Sequence, residues 1–265
     1  MLVLIRGAGD LASGVALRLF HAGFAVVMTD LPKPTAIRRE VSFCRALETG
    51  EAAVEDATAL KAATATEARR IVAGGRIAVL ADAENRCLAA LKPDVLVDAI
   101  LAKKNTGTHM DDAPVVIALG PGFTAGADCD AVVETMRGHD LGRVYWTGSA
   151  LPNTGAPGNI GGYTVERLLR APQNGVFTPT VAIGAAVQAG DTVAVVDGTP
   201  LLASIDGVVR GLLPPGTPVK AGMKSGDVDP RGVRESCFTV SDKARAIGGG
   251  VLEAILQRTG VISHG

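Results

Sequence analysis

Short, uniformly apolar runs separated by helical patterns constrain the fold of this chain more than any other feature. After the apolar run Leu2–Arg6, the segment Leu11–Ala22 repeats apolar residues at helical spacing. Strands that are apolar along their whole length, with helices between them, are typical of a parallel sheet covered on both faces. The pattern therefore predicts an α/β fold with a doubly wound, Rossmann-like parallel sheet. Its strands are expected at Leu2–Arg6, Ala25–Thr29, Ile77–Ala81, Val95–Ile100 and Val115–Leu119.

The stretch 119–172 is rich in Gly, Pro, Asn and Ser and is harder to assign. We expect helices over Asp130–Arg137 and Tyr163–Arg170, with a strand over Arg143–Thr147 between them. A loop-rich segment of this length is more often functional than a simple linker.

The turn between the first strand and the first helix carries a nucleotide-binding motif. Gly7, Gly9 and Ala12 match the dinucleotide fingerprint G-x-G-x-x-G/A in its Ala-ended form. Asp30 ends the second predicted strand, near the usual place of a carboxylate that holds ribose hydroxyls. Asp10 is unusual, because an acid at a helix start repels phosphate; it is interpreted as a helix cap or a cation ligand. The alternative is a glycine-rich turn that binds no nucleotide.

Two other segments follow predicted strands and are expected at the same edge of the sheet. Lys103, Lys104 and Asn105 come after Val95–Ile100, and a cationic pair there is suited to phosphates or an anionic substrate. Gly120 and Gly122 follow the next strand, where a Gly-Pro-Gly turn is able to form a backbone nest for an anion. The alternative for the first segment is a solvated loop. For the second, a helix N-cap with a first-turn acid also explains the nearby Asp128 and Asp130.

Residues 176–235 change in character to short β-rich runs separated by turn signals. Their spacing predicts a small all-β module, and its pattern is similar to a lipoyl- or biotinyl-type barrel-sandwich hybrid. Such carriers need a lysine at the tip of the central hairpin, but Val196–Pro200 contains none. The module is therefore expected to be structural or ligand-binding and to carry no biotin or lipoate.

The C-terminal segment 236–265 is predicted to contain a helix that returns to the first domain. The helical pattern over Ser241–Gln257 is expected to be interrupted at the glycine triplet Gly248–Gly250. Its start, Ser241–Arg245, is interpreted either as a capped helix or as another anion site. Three regions result: a nucleotide-binding domain over 1–175, a β module over 176–235, and this C-terminal helix.

Composition and charge exclude several classes of partner. The chain has 26 Lys and Arg residues against 27 Asp and Glu, and only 3% of its residues are aromatic. Nucleic acid is thus an unexpected partner, since it requires a basic surface or stacking rings. The longest uncharged run, between Arg143 and Glu166, is interrupted by Gly and Pro, so no membrane span is expected. Without an export signal at the start, a cytoplasmic location is expected.

The sequence provides little evidence for metal or nucleophile chemistry. Cys44, Cys87, Cys129 and Cys237 are far apart and have no metal-ligand spacing, so we expect free buried thiols and no metal site. A serine nucleophile elbow is also missing, because Gly148-Ser149-Ala150 lacks the second glycine. Catalytic residues stay unknown, and so does whether the protein is an enzyme.

Taken together, these segments resemble the YqeB family of selenium-dependent molybdenum hydroxylase system proteins, which is related to xanthine dehydrogenase accessory factors. The resemblance extends over nearly the whole chain. It rests on Arg6–Gly14 with Thr29–Pro34, Asp94–Asn105, Ala118–Gly126, Glu134–Arg143, Ser149–Gly162, Lys224–Arg231 and Ser241–Leu252.

The resemblance implies an accessory protein that matures a molybdenum hydroxylase client. It would bind a nucleotide or a molybdopterin-dinucleotide form of the molybdenum cofactor through Gly7, Gly9 and Asp30, assisted by Lys103 and Lys104. Two alternatives stay open. One is an NAD(P)-dependent oxidoreductase that uses the same fingerprint, and the other is a non-catalytic interaction scaffold. A homo-oligomer is compatible with each of them.

Overall fold

The computed structural model describes residues 1–155 and 157–260, so residue 156 and the last part of the predicted C-terminal segment, 261–265, lie outside the described residues. The described chain divides into two compact units. Unit 1 comprises Met1–Pro34, Ser42–Thr154 and the segment that begins at Val240; unit 2 comprises Thr35–Val41 and Gly155–Thr239. The predicted division into 1–175, 176–235 and 236–265 stays a prediction. Within the described ranges, no helix is long and apolar enough to cross a bilayer.

Unit 1 is built on a sheet in which its described residues form nine strands. In chain order the strands are β1 Leu2–Arg6, β2 Ala25–Asp30, β3 Glu51–Val54, β4 Ala57–Ala62, β5 Ile77–Ala81, β6 Val95–Asp98, β7 Val115–Leu119, β8 Ala131–Val133 and β9 Val144–Tyr145. Their spatial order is β3-β4-β5-β2-β1-β6-β7-β8-β9. Neighbours from β4 to β8 are parallel, whereas the edge pairs β3–β4 and β8–β9 are antiparallel.

The prediction of a doubly wound, Rossmann-like parallel sheet is therefore wrong, because the sheet is mixed. Glu55 and Asp56 alone join β3 to β4, and so short a connection permits only an antiparallel return. The expected helix over Asp130–Arg137 contains β8 instead, and β8 pairs with the short edge strand β9. In the segment Tyr163–Arg170, also expected as a helix, a 3-10 turn precedes a strand.

Five α-helices occur in the described part of unit 1, and three of them are longer than one turn. They are α1 Asp10–His21, α2 Ala46–Thr49, α3 Ala65–Ala73, α4 Leu88–Leu91 and α5 Asp242–Thr259. On one face of the sheet, Leu4 and Leu96 belong to a buried cluster with Ala68 of α3 and Leu91 of α4. Such burial of whole apolar strands and helix faces is the main source of stability here.

Helix α5 is continuous through its glycine triplet, so the predicted interruption is wrong. The Ser241 side chain caps its start by accepting a hydrogen bond from the Ala244 N–H group. Helix α5 packs closely on α1: a Cβ on Gly14 would lie 2.5 Å from the Ala244 Cβ, and one on Gly248 would lie 3.1 Å from the Gly14 carbonyl oxygen. The glycines let two helix backbones approach closely, which offsets their low helix propensity.

Unit 2 consists of two four-stranded antiparallel sheets formed by its described residues. The strands are β10 Leu168–Arg170, β11 Gly175–Pro179, β12 Ala186–Val187, β13 Thr192–Val196, β14 Thr199–Leu202, β15 Gly207–Leu212, β16 Thr217–Val219 and β17 Lys224–Asp229. One sheet has the order β10-β17-β15-β12 and the other β14-β13-β11-β16. Phe177, Val193 and Val209 belong to a common buried core. The prediction of a lipoyl-type barrel-sandwich module is wrong as stated, because turn spacing identifies β structure but not how the strands pair.

The hairpin β13–β14 leads to a testable expectation about covalent modification. Its tip is Asp197-Gly198, where both residues have positive φ angles of 43° and 86°, as a tight two-residue hairpin turn requires. The Asp197 carboxylate accepts a hydrogen bond from the Val176 N–H group at 3.1 Å. Because the tip has no lysine, we expect no biotin or lipoyl adduct after expression with active ligases. Intact-mass spectrometry checks this, and an adduct within 176–235 would contradict it.

Candidate functional site at the sheet edge of unit 1

The turn between β1 and α1 brings the fingerprint residues to the carboxyl edge of the sheet. The Gly7 N–H group donates a 2.8 Å hydrogen bond to the Thr29 carbonyl oxygen. Gly7 has a φ angle of 100°, and a Cβ there would lie 2.7 Å from the Ala99 carbonyl oxygen. Both constraints require glycine at this position, so Gly7 shapes the turn.

Gly9 differs from Gly7 because it faces open space. It is the N-cap residue of α1, with a φ angle of −71° and no side-chain cap. Apart from its chain neighbours, no heavy atom of the described residues lies within 4 Å of where a Cβ would be. The first intrahelical bond runs from the Ser13 N–H group to the Gly9 carbonyl oxygen. The N–H groups of the residues before Ser13, the last of them the buried Ala12, have no acceptor within the helix. They form the positive end of the helix dipole, which favours anions.

Asp30 holds the same turn from the end of β2. Its Oδ2 accepts a 2.8 Å hydrogen bond from the Ala8 N–H group, and its Oδ1 accepts one of 2.7 Å from the Leu31 N–H group. Burial raises the pKa of Asp30, while these two hydrogen bonds act in the opposite direction. Each carboxylate oxygen keeps acceptor capacity for a further donor, such as a ligand hydroxyl group.

A buried ionic network fixes the loop that follows β6. Arg6 and Asp98 lie 3.3 Å apart, and both are less than 5% exposed. The Thr108 hydroxyl donates a 2.7 Å hydrogen bond to Asp98 Oδ2 and accepts one from Arg6. The sequence analysis missed this network; the one signal for it is a charged residue at the end of each of two apolar strands.

The Asn105 side chain stabilises this loop through hydrogen bonds. It donates to the Thr108 carbonyl oxygen at 2.8 Å and accepts from the N–H groups of Gly107 and Thr108 at 2.9 and 2.8 Å. These contacts hold the loop that presents Lys103 and Lys104. Both lysines are exposed by surface area, and partial desolvation lowers the pKa of Lys103.

Gly120 and Gly122 are placed where the backbone has close neighbours. A Cβ on Gly120 would lie 2.5 Å from the Thr135 Oγ1 atom, and one on Gly122 would lie 2.6 Å from the backbone nitrogen of Lys104. Gly122 thereby lets its turn pack on the lysine loop. This arrangement supports a packing role for both glycines, and their predicted role in anion binding stays a prediction.

Lys243, in the first turn of α5, joins this edge from a distant part of the sequence. Burial lowers its pKa; the positive charges of Lys103 and Arg137 act in the same direction, and the carboxylates of Asp10 and Glu134 oppose them. Its helix is anchored by Asp242, whose carboxylate accepts hydrogen bonds of 2.7 and 3.0 Å from Arg137. The sequence marked this helix start as one of two alternatives, but it did not place Lys243 beside Lys103.

The described residues provide little evidence for a metal site or a reactive thiol. Within 1–155 and 157–260, no group of three or more His, Cys, Asp or Glu side chains is placed to hold a metal ion. The four cysteines are free and buried, as expected. Burial raises the pKa values of Cys87 and Cys129 to about 12, which keeps both thiols protonated near neutral pH.

Comparison with known proteins supports the YqeB family name. The chain is 54% identical over 256 residues to the uncharacterized protein YqeB of Escherichia coli strain K12. The alignment covers 97% of this chain and 47% of YqeB, so the chain spans about half the length of this curated relative. No family model matches the chain. The match supports the name of the predicted family, YqeB. It does not show a link to molybdenum hydroxylases.

The solved structures that resemble the chain carry names other than YqeB. They include an aspartoacylase family protein from Mesorhizobium loti, 12% identical, with a TM-score of 0.28, covering 86% of this chain and 84% of that chain. The ectoine utilization protein EutE (DoeB) from Ruegeria pomeroyi is 16% identical, with a TM-score of 0.26 and coverages of 86% and 85%. A succinylglutamate desuccinylase/aspartoacylase from Rhodobacter sphaeroides is 32% identical over 24% of this chain and 21% of that chain, with a TM-score of 0.21.

These findings correct the predicted function. The solved structures found are named as a succinylglutamate desuccinylase/aspartoacylase, an aspartoacylase family protein and an ectoine utilization protein, so the predicted role in maturing a molybdenum hydroxylase is not kept. The associated Rossmann-like description is wrong because the sheet is mixed. TM-scores this low do not establish a shared fold, and no reaction is transferred from these proteins to this chain.

Proposed function

We propose that unit 1 binds a phosphate-bearing nucleotide at the edge of the sheet where α1 begins. The observation that carries the proposal is Gly9: it starts α1 without a side-chain cap, and the space around its Cα is open. A phosphate placed there meets backbone N–H groups and the positive end of the helix dipole. The proposal concerns binding alone; the molybdenum hydroxylase link rests on resemblance and is not part of it.

The nearby lysines supply the charge that such a ligand needs. Neither Lys103 nor Lys243 makes a side-chain hydrogen bond or an ion pair with another described residue. Bringing two ammonium groups together without a bridging anion is unfavourable, and an anion between them removes that cost. Of the carboxylates nearby, Glu134 is already engaged: it accepts hydrogen bonds of 2.7 to 2.8 Å from three backbone N–H groups. Asp10, near Lys243, and Asp30, at the turn, are then the negative charges that the ligand has to face.

Asp30 suits the sugar of the same ligand. Its carboxylate is held against the Gly7–Gly9 turn by the Ala8 N–H group, so it is fixed next to the place proposed for the phosphate. A carboxylate in this position accepts hydrogen bonds from ribose hydroxyl groups. A nucleotide thus satisfies the helix end, the lysines and Asp30 together, which inorganic phosphate does not.

A matched panel of ligands tests the proposal. Adenosine, AMP, ADP, NAD and NADP are titrated into the full chain by calorimetry. We expect at least one phosphate-bearing compound to bind with a micromolar Kd, about −8 kcal/mol, and adenosine to bind at least about tenfold more weakly. Failure of every compound to bind, or equal binding of adenosine and AMP, would contradict the proposal.

Replacing Lys243 tests the contribution of α5. We expect Lys243→Met to weaken binding of the best nucleotide about tenfold, roughly 1.4 kcal/mol, because one of two cations facing the phosphate is lost. The salt dependence of binding should also decrease. Lys220→Met, which removes an exposed lysine from unit 2, is the matched control and should bind as the wild type does. Unchanged affinity in Lys243→Met would remove α5 from the site.

A further inference from the structure

Unit 2 contains a buried arginine, Arg210, with an unpartnered side-chain nitrogen. Arg210 is 6% exposed, and its Nε atom is buried with no hydrogen-bond partner among the described residues. Its one ion pair, with Asp229, is long, at 3.7 Å. Burying an N–H donor of a guanidinium group without an acceptor is costly. The arrangement therefore points to an acceptor that comes from outside the chain.

The backbone at Arg210 is irregular in a way that directs this side chain. Val209 pairs with Val228 of β17, and Gly211 pairs with Asp227, so Arg210 is the extra residue of a β-bulge. Bulges redirect a side chain away from the regular alternation of a strand and are frequent beside binding sites. Asp229 is not a full partner for Arg210, because its carboxylate is held by the Arg231 side chain at 2.6 and 2.9 Å.

Two more arginines contact the segment around Cys237 and form, with Arg210, what we term the arginine cluster: Arg38, Arg210 and Arg234. Arg38 donates hydrogen bonds to the carbonyl oxygens of Ser236 and Thr239 at 3.1 and 3.2 Å, next to Cys237.

Arg234 begins the 3-10 turn Arg234–Cys237 and lies over the Phe238 ring, 5.0 Å from its centroid. The Cys237 thiol lies 3.7 Å from the Val209 carbonyl oxygen, one residue before Arg210. Cys237 therefore lies among groups that Arg38 and Arg234 contact, and its thiol lies beside the residue that precedes Arg210.

The charges around Cys237 agree with this geometry. Burial raises the pKa of the Cys237 thiol, whereas Arg210, Arg38 and Arg234 act to lower it, and Asp229 acts to raise it. Three cations thus act on the thiol, and Asp229, whose carboxylate Arg231 binds, opposes them. A second carboxylate, Asp227, interacts with Arg210 but is paired with Arg167 at 3.0 Å. The three cations differ in burial: Arg234 is exposed, Arg38 is half-buried and Arg210 is buried.

We propose that the arginine cluster binds a small molecule through a terminal oxyanion, a carboxylate or phosphate group, with Arg210 as the buried donor. Guanidinium groups match both oxyanions in charge and in the geometry of paired hydrogen bonds. An oxyanion here supplies the acceptor that the buried Nε atom of Arg210 lacks. This site lies wholly in unit 2 and does not depend on nucleotide binding by unit 1.

The Cys237 side chain provides a local reporter for the test. The full chain is labelled with 13Cβ-cysteine, and the Cys237 resonance is assigned with Cys237→Ser. Inorganic phosphate and acetate are titrated separately, in the Gly9→Glu background so that the proposed site of unit 1 is blocked. We expect at least one anion to shift the Cys237 resonance with saturation and to leave the resonances of Cys44, Cys87 and Cys129 unmoved. The anion that saturates first identifies the preferred oxyanion.

Variants decide whether Arg210 is the donor. Arg210→Met should weaken the titration at least tenfold, and Arg210→Lys, which keeps the charge but not the paired donors, should weaken it less. Arg170→Met, at an exposed arginine of β10, is the matched control and should titrate as the background does. If Arg210→Met does not fold, Arg234→Met at an exposed position should weaken the titration at least threefold. A Cys237 resonance that neither anion moves, or full binding by the folded arginine variants, would overturn the proposal.

Discussion

Replacing Gly9 by glutamate is expected to weaken nucleotide binding at least a hundredfold, about 2.8 kcal/mol, while the protein stays folded. The φ angle of Gly9, −71°, is ordinary for any residue, and no described residue outside its chain neighbours would contact the new Cβ. The glutamate side chain therefore projects into the space proposed for the phosphate. It excludes the ligand sterically and adds a negative charge beside Asp10.

The matched control for this variant is Gly249→Glu. Gly249 also faces open space, and it lies in α5 on a part of the helix that takes no role in the proposed site. Calorimetric titration of both variants, with circular dichroism to verify folding, makes the comparison. Equal affinity of Gly9→Glu and wild type would remove the start of α1 from the site. A loss of affinity in both variants would show that the effect is not local.

The second large effect concerns stability. Alanine substitutions at two adjacent glycines of α5 are expected to change the free energy of unfolding in opposite directions. A Cβ on Gly250 would lie 2.2 Å from the Gly142 carbonyl oxygen, so Gly250→Ala forces the helix and the backbone of the neighbouring loop apart. We expect a loss of about 1–3 kcal/mol in the free energy of unfolding. A Cβ on Gly249 meets no described residue within 4 Å, so Gly249→Ala should stabilise the helix by about 0.5–1 kcal/mol.

Urea denaturation followed by tryptophan fluorescence measures both changes. Trp146 is the single tryptophan of the chain and belongs to unit 1, which also contains α5. Each variant is its neighbour's control, because the substitution, the helix and the reporter are the same. Shifts of the same sign in both variants would contradict the packing described for α5.

The sequence indicated where most central strands lie but not how the edges pair. Strands β1, β5 and β7 occur at the predicted residues because uniform apolar runs report burial directly. The β3–β4 hairpin consists mainly of alanine and charged residues, so no apolar run marks it. The segment containing β8 fits a helical pattern as well, and its pairing with β7 and β9, a long-range contact, decides in favour of a strand.

The candidate site shows the same division between local and long-range information. Gly9 was identified from the local glycine motif after the first predicted strand, and Asp30 from its place at the end of the second; parallel strands bring such ends together. Lys243 lies more than 130 residues from Lys103, and no local pattern relates the two. The glycines of α5 were misread for a related reason: their low helix propensity is visible locally, whereas the close approach to α1 that favours them is not.

The central claim is that a nucleotide binds at the start of α1. The most direct test is to map which backbone amides a bound nucleotide perturbs. Backbone amide resonances of the isotope-labelled full chain are recorded while the best ligand of the adenine panel is added. The account predicts saturating shifts that are largest at Gly9, Asp10, Leu11 and Ala12, with further shifts at Lys103 and Lys243. Saturating shifts confined to other parts of the chain, with the amides of residues 9–12 unmoved, would contradict it.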